Sequence, residues 1–366
     1  MRVRNVGLVA VAAAFGLAGM QPAFAGIAPS ERVRVVAKDL DGPFGIHITG
    51  RQGFLVAENV SGQISAVTHW GRQRLLLKVD NVSGVSAGYG HVFGLTGASG
   101  GGPEDASPPS PRPNYPQASV IRMDYDGHHV KVIADLMKYE LAHNPDGQLQ
   151  FDPTTKQPFD ALSNPFSIDV STFGLLIADG GGNVVYQINP TTGRIKPFFV
   201  PPTVKDVEAC LARGAQANPG TIGCDPVPTG VDVVGNFVYV CTLGAQVPGA
   251  SKIYKLDRHG KVVRVWTGFT SLTGIAVSPA GTIYASQALE GAPPESNEPP
   301  PPIFDPWMIG RVLRIANGRT TSARVTMPTG IDYRNGELYV SAWGTASFFG
   351  LQHAGQIVKV ADSAFH

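Results

Sequence analysis

Three aspartates and one histidine recur at the same place in a repeated phrase of this sequence. The phrase reads PTGVDVV from Pro228 and PTGIDYR from Pro328, and four other segments align with it. At the position of the acidic residue, the six copies have His47, Ser86, Asp169, Asp232, Ala276 and Asp332. Carboxylates gathered around one point can bind a polar ligand or a divalent cation such as calcium, which prefers oxygen ligands. The competing interpretation is that each aspartate accepts hydrogen bonds from backbone amides of its own or the next repeat.

Recognisable catalytic motifs occur only in unsuitable contexts. The pattern G-x-S-x-G appears from Gly84 and from Gly97, but a nucleophile elbow requires a turn from a strand into a helix. His128 and His129 lie in the turn DGHH, without further residues at the spacing of a zinc site. We therefore assign no catalytic residue, and the sequence leaves open whether the protein is an enzyme.

The elements that must position the aspartates belong to six repeated units. The units begin at Gly42, Val82, Asn164, Val227, Leu272 and Met327. Each opens with a short apolar strand, a tight turn and a stronger strand, and most units continue with two further alternating strands. Four antiparallel strands separated by turns are typical of a propeller blade. The sequence therefore predicts an all-β fold, a six-bladed β-propeller over residues 26–366 as a single domain.

The two ends of the repeat region predict how the ring closes. The sixth unit has a third strand, GQIVKVA, but no fourth, whereas the strand RVRVVA from Arg32 precedes the first unit. We expect this N-terminal strand to complete the last blade. Because side chains alternate along a strand, the aspartates then point away from the aliphatic residues before them, toward the central channel.

The loop lengths divide the predicted propeller into two different faces. The turns between first and second strands are all short, and we call their side the short-turn face. The five long insertions fall on the opposite, long-loop face: 97–117, 137–163, 201–226, 289–309 and 345–354. Because binding residues are concentrated on loops held by a rigid scaffold, we expect a ligand or partner on the long-loop face, around the channel. Four further candidate binding residues lie where second strands end there: Glu58, Asn59, Asp179 and Trp343.

The first 25 residues have the pattern of a secretory signal peptide. Arg2 and Arg4 precede an uncharged apolar run, and Ala23 and Ala25 fit a small-x-small cleavage site. We expect a secreted or periplasmic bacterial protein, with no membrane span after cleavage and as a monomer. Without Arg2 and Arg4, 27 Lys and Arg residues stand against 28 Asp and Glu residues, so no basic field is present to attract nucleic acid.

The three cysteines fit an exported protein. Cys210 and Cys224 bracket a loop that lacks a strand pattern, and we predict that they form a disulfide, as an oxidising compartment permits. Cys241 lies in the apolar strand FVYVCT and is expected to be a small buried hydrophobic residue.

The blade phrases resemble a known bacterial family. The segments NPFSIDVSTFGLLIADGGGNVVYQINPTTG and MPTGIDYRNGELYVSAWG, with ADLMKYELAHNPDG between blades, are similar to the ScyD/ScyE family of secreted six-bladed propellers. The resemblance covers most of the mature chain and extends to NHL-type repeats. It implies the fold and says little about chemistry.

Two functions remain in competition. The first is a secreted binding or interaction protein, with an unknown protein or small molecule as its partner. The second is a metal-dependent hydrolase or lactonase, distantly similar to the gluconolactonase-type propellers. In that case Asp169, Asp232 and Asp332 would hold calcium or another divalent cation that activates water.

Overall fold

Six four-stranded antiparallel sheets form the ring of a β-propeller. The computed structural model describes residues 32–50, 53–98, 115–212, 217–292 and 305–366. Within these ranges every strand belongs to one of the six sheets, and each sheet is one blade. The predicted six-bladed propeller is therefore confirmed. The predicted signal peptide, residues 1–25, lies outside the described residues.

The blades follow one another along the chain, and in blades one to five the strands run from the innermost to the outermost. The chain starts with β1 (Val33–Leu40), and blade one contains β2 (Pro43–Ile48), β3 (Phe54–Glu58), β4 (Gln63–Val67) and β5 (Gln73–Lys78). Blade two contains β6 (Val82–Gly88), β7 (His91–Thr96), β8 (Ser119–Met123) and β9 (Lys131–Asp135). Blade three contains β10 (Pro165–Ser171), β11 (Gly174–Asp179), β12 (Val184–Ile188) and β13 (Ile195–Phe199).

The same pattern continues through the second half of the ring. Blade four contains β14 (Pro228–Val234), β15 (Phe237–Thr242), β16 (Ser251–Leu256) and β17 (Val262–Phe269). Blade five contains β18 (Leu272–Val277), β19 (Ile283–Gln287), β20 (Arg311–Ala316) and β21 (Arg319–Ala323). Blade six contains β22 (Ile331–Arg334), β23 (Glu337–Ala342) and β24 (Gly355–Val360).

The first strand of the chain completes the last blade. β1 pairs antiparallel with β24, from Val33 opposite Val360 to Leu40 opposite Gly355. The order of this sheet is β1-β24-β23-β22, so the N-terminal strand is the outer strand of blade six. This closure is the one predicted from the two ends of the repeat region, and it leaves each sheet with four strands.

The core consists of apolar clusters between neighbouring blades. The second strands are buried on both faces, and all six residues of β11 are buried. One cluster of buried side chains lies at each of the six junctions between blades, including the junction of blade six with blade one. Burial on both faces explains why these strands read as continuous apolar runs rather than as alternating ones.

The long crossings contain helices that the repeat did not predict. α1 (Leu136–His143) lies between blades two and three, and α2 (Glu208–Leu211) lies between blades three and four. The side chain of Asp135 caps α1 by accepting a hydrogen bond from the backbone N–H of Lys138 at 2.8 Å. Single 3₁₀ turns occur at Gly244–Gln246, Pro306–Met308, Ala346–Phe349 and Asp362–Ala364. Across the described ranges, each helix is too short or too polar to span a bilayer.

The predicted disulfide is present in the crossing between blades three and four. Cys210 and Cys224 are bonded, and both are fully buried. Val204 forms an isolated β-bridge with Cys224. The bridge and the disulfide together hold the beginning, the middle and the end of this crossing against one another. Cys241 is buried and carries a free thiol, as expected from its place in β15.

Candidate functional site

The six inner strands surround a central cavity of about 340 Å³. Its described lining comes only from these strands and from Gly330, directly before β22. The cavity contains the four polar residues that the repeated phrase predicts to face the channel, His47, Asp169, Asp232 and Asp332. Because they come from four different blades, the ring itself brings them together.

A glycine two positions before the polar residue lets the inner strands approach one another. This glycine is present in five blades, and blade three has Ser167 instead; the glycines are Gly45, Gly84, Gly230, Gly274 and Gly330. A Cβ on Gly274 would lie 2.4 Å from the backbone oxygen of Thr329 in the next blade. A Cβ on Gly330, the glycine of the second PTG phrase, would likewise lie 2.7 Å from the backbone oxygen of Phe44, so the close contact between blades favours glycine at this position.

The hydroxyl residue before the glycine joins neighbouring blades. In blades two, four, five and six it donates a hydrogen bond to a backbone carbonyl of the next blade. These bonds run from Ser83 to Pro165 (2.6 Å), Thr229 to Leu272 (2.7 Å), Thr273 to Pro328 (3.0 Å) and Thr329 to Pro43 (2.6 Å). The hydroxyl side chain therefore serves ring assembly.

Two phenylalanines replace the hydroxyl residue in blades one and three. The rings of Phe44 and Phe166 are 5.6 Å apart between their centroids, and both line the cavity. Inner strands run from the long-loop face to the short-turn face, so these rings lie three residues before His47 and Asp169. The aromatic pair therefore narrows the channel between the acidic residues and the long-loop face.

Each channel aspartate accepts a hydrogen bond from the backbone of the next blade. Asp169 accepts from Val233 (2.9 Å), Asp232 from Val277 (2.6 Å) and Asp332 from Ile48 (2.6 Å). In all three pairs the bond uses Oδ2 and the amide one residue after the partner blade's own channel position. Each of the three aspartates therefore both connects two neighbouring blades and lines the cavity.

Blades six and one add a basic side to the cavity. His47 Nδ1 lies 3.8 Å from Asp332 Oδ2 and 3.4 Å from the hydroxyl of Ser86. Arg334, at the short-turn end of β22, is exposed and donates from Nη1 to the carbonyl of Ile48 at 2.8 Å. A cation thus stands at the mouth of a channel whose deeper wall is acidic.

Burial raises the pKa of all three carboxyl groups, and repulsion by neighbouring aspartates adds to the rise for Asp169 and Asp232. Removal from water, and then the charge of Asp332, raise the pKa of Asp169 to about 7. Burial raises the pKa of Asp332 to about 6, against the opposing effects of the Ile48 amide and Arg334. The pKa of Asp232 is raised well above its usual value by burial and by both other aspartates. Burial, together with the charge of Arg334, lowers the pKa of His47 to about 4, so this imidazole is neutral at pH 7.

A divalent cation at the three channel aspartates stays a prediction. Among the described residues, no three His, Cys, Asp or Glu side chains lie close enough to hold one metal ion. The aspartates stand on blades three, four and six, and each uses an oxygen for a backbone amide of the next blade. Their carboxylates line the same cavity from three different blades.

Two of the residues predicted at the ends of second strands stabilise loops. Glu58 is buried and accepts hydrogen bonds from the backbone of Asp41, the amide of Gln63 and the hydroxyl of Ser65. Asn59 donates to the carbonyl of Val82, which joins blade one to blade two. Neither side chain lines the cavity.

Asp179 and Trp343, the other two, are also buried outside the cavity. Asp179 accepts from the hydroxyl of Ser163 at 2.5 Å and from the backbone of Asn164 at 2.6 Å. Trp343 packs edge to face against Trp307, with 4.5 Å between ring centroids. Their contacts give them structural roles, and ligand binding by these residues stays a prediction.

A polar network missed by the sequence analysis joins the two long crossings. Gln148 donates to Asp225 at 2.5 Å, and Asn218 donates to Asp160 at 2.6 Å. Glu140, on α1, accepts from the hydroxyl of Tyr186 at 2.9 Å. Burial raises the pKa of Glu140 and that of Asp225 to about 7, and the pKa of Asp179 to about 6. Both crossings are therefore held together by carboxyl and amide groups on the long-loop face.

Comparisons with known proteins show the fold. No family model matches the chain, and no curated protein matches it. Among solved structures, a gluconolactonase of Xanthomonas campestris is 10% identical, with a TM-score of 0.52 over 90% of this chain and 89% of that one. The PQQ-bound aldose sugar dehydrogenase of Streptomyces coelicolor is 13% identical, with a TM-score of 0.51 over 91% and 99%. A Bacteroides thetaiotaomicron protein of unknown function is 11% identical, with a TM-score of 0.53 over 90% and 75%.

These similarities include the gluconolactonase-type propellers expected as distant relatives. At such identities they establish the architecture, which carries many unrelated activities. The finer resemblance to the ScyD/ScyE family stays a prediction.

Three residues of the cavity were not selected from the sequence. Arg334 lies only two residues after Asp332 in the same strand, and side-chain alternation places both toward the channel. Phe44 and Phe166 interrupt the hydroxyl position as GPFGI and NPFSI. In each case the residue differs from those at the same position of most other repeats, and this difference was the signal that the sequence offered.

Proposed function

We propose that this protein is an exported binding propeller whose central channel holds a small ligand with a positively charged group. One observation carries the proposal: three carboxyl groups face a single cavity of about 340 Å³, and the pKa of each is raised. A cationic group placed among them would offset their repulsion and favour their ionised form. The volume is within the range of small-molecule sites.

The ligand is placed in the channel rather than on the long loops because of the lining residues. All described lining residues belong to the inner strands or directly precede one, and Phe44 and Phe166 narrow the long-loop side. Entry from the short-turn face follows from this arrangement. The disulfide between Cys210 and Cys224 supports export to an oxidising compartment.

The hydrolase alternative lacks a comparable observation. It requires a divalent cation to activate water. The described carboxylates do not form a group that holds one.

The test uses hexylammonium as a simple organic cation, measured by calorimetric titration at pH 7. We expect saturable binding to the native protein and at least a tenfold loss of affinity in Asp169→Asn and in Asp232→Asn. Asp39→Asn is the matched control, since Asp39 is exposed on β1 with a φ of 60° that asparagine tolerates. Equal binding by all four proteins, or no binding of any organic cation, would overturn the proposal.

A further inference from the structure

The cavity carries opposite charges at two depths along its axis. Asp169, Asp232 and Asp332 occupy one level of the inner strands, and Arg334 lies two residues farther toward the short-turn face. Residues i and i+2 of a strand are about 7 Å apart, with their side chains on the same side. Arg334 therefore leaves its strand nearer the short-turn face than Asp332, and its guanidinium bonds to Ile48, the residue whose amide donates to Asp332.

The two ends of this arrangement differ in accessibility. Arg334 is exposed, whereas three-quarters of the Asp332 side chain is shielded, with 25% of its surface accessible. Phe44 and Phe166 limit the channel beyond the aspartates. A ligand that enters from the short-turn face therefore passes Arg334 before it reaches the acidic level.

Arg334 is also held in place at the junction of blades six and one. Its Nη1 donates to the carbonyl of Ile48, the same residue whose amide donates to Asp332. A guanidinium has five N–H donors, so this single bond leaves donors for an anionic group. A simple cation gains nothing from Arg334 and is repelled by it.

We propose that the channel selects zwitterions, with the ammonium group among the aspartates and the carboxylate on Arg334. This inference rests on the proposed function and adds the second charge of the ligand. Omega-amino acids and dipeptides both carry an ammonium group at one end and a carboxylate at the other.

The experiment compares 6-aminohexanoate with hexylammonium and hexanoate by calorimetric titration at pH 7 and low salt. We expect 6-aminohexanoate to bind the native protein at least tenfold more tightly than hexylammonium. A dipeptide carries the same two charged groups as 6-aminohexanoate, so glycyl-glycine is titrated in the same way to test whether a peptide can be the ligand. We expect its affinity to be within tenfold of that of 6-aminohexanoate.

Variants of Arg334 separate this inference from the proposed function. Arg334→Gln should remove the preference for 6-aminohexanoate over hexylammonium, and Arg334→Lys should restore part of it. Arg319→Gln, at an exposed arginine of the outer strand β21, is the control. If hexylammonium binds as tightly as 6-aminohexanoate and Arg334→Gln changes neither affinity, the inference fails while the proposed function stands. If neither compound binds in a manner that depends on Asp169 and Asp232, both fail.

Discussion

The carboxylate of Asp332 accepts a hydrogen bond of 2.6 Å from the backbone amide of Ile48, although the two residues are 284 positions apart in the chain. The bond spans the junction where blade six meets blade one. The same type of bond joins blade three to blade four through Asp169 and blade four to blade five through Asp232. One side chain thus belongs both to the wall of the cavity and to the contact between blades.

The first prediction separates these two roles of Asp332. Asp332→Ala leaves the Ile48 amide without its acceptor and should lower the free energy of unfolding by about 1–3 kcal/mol. At pH 5, Asp332→Asn keeps a side-chain oxygen as acceptor and replaces a carboxyl group that is mostly protonated in the fold, so it should change stability by less than about 1 kcal/mol. Urea denaturation of both variants measures the difference. If Asp332→Ala and Asp332→Asn lower the free energy of unfolding equally, the hydrogen bond to Ile48 is not the contribution of this side chain to stability.

The second prediction concerns pH. The pKa of Asp169 is raised to about 7, and the pKa values of Glu140 and Asp225 are raised to about the same value. Between about pH 4 and pH 7 these groups hold protons in the folded state that the unfolded chain has already released. The free energy of unfolding should therefore fall as the pH rises from 5 to 8. Neutral His47 acts in the opposite sense, because stability is lost below pH 6.5 as the unfolded histidine protonates.

Melting temperatures at unit steps from pH 5 to pH 8 measure this slope. Because the raised carboxyl groups outnumber the single histidine, the highest melting temperature is expected near pH 5. Asp169→Asn and Asp225→Asn should each flatten the profile, and exposed Asp39→Asn should leave it unchanged. A melting temperature that rises steadily to pH 8 would contradict the buried, protonated state of these groups.

The third prediction concerns the glycine of the repeated phrase. Gly274→Ala would place a Cβ 2.4 Å from the backbone oxygen of Thr329, so one blade must move away from the next. We expect a loss of about 1–3 kcal/mol in the free energy of unfolding. Ser167→Ala, at the same position in blade three, is the control because that site already accommodates a Cβ. If Ser167→Ala loses as much stability as Gly274→Ala, the close approach of neighbouring blades is not the reason for the glycine.

The fourth prediction concerns the disulfide. The variant with both Cys210→Ser and Cys224→Ser should lose about 2–4 kcal/mol, because the crosslink limits the unfolded chain. Hydrogen exchange should increase first around Val204, whose backbone pairs with Cys224. Cys241→Ala, which removes the free thiol, should not change exchange in this crossing. An unchanged exchange rate around Val204 in the double variant would mean that other contacts hold the crossing.

The features of the fold that repeat along the chain could be predicted from the sequence, whereas those that depart from the repeat could not. The period of the PTG phrase predicts six blades, and the unmatched strands RVRVVA and GQIVKVA predict how the ring closes. The shared position of Asp169, Asp232 and Asp332 follows from the same alignment, because equivalent residues of a ring face the same axis.

The remaining features depend on single residues and on contacts distant in the chain. Whether Phe44 meets Phe166 is decided by the distance across blade two, which no local pattern encodes. The hydrogen bonds from Gln148 to Asp225 and from Asn218 to Asp160 form because two crossings pack on each other, and each segment alone resembles an ordinary loop. α1 was not predicted because its residues were interpreted as part of the loop between blades two and three. Its cap residue, Asp135, belongs to the preceding strand.

The pairing of β1 with β24 also determines when the molecule can finish folding. β1 precedes every other described strand along the chain, whereas its partner β24 follows all of them. Blades one to five can form in order as their strands emerge, since each consists of consecutive segments. β1 therefore stays without its partner strand until β24 has been synthesised. A nascent chain that stalls before β24 therefore carries an open ring and a free strand, which is the species that chaperones must protect from aggregation.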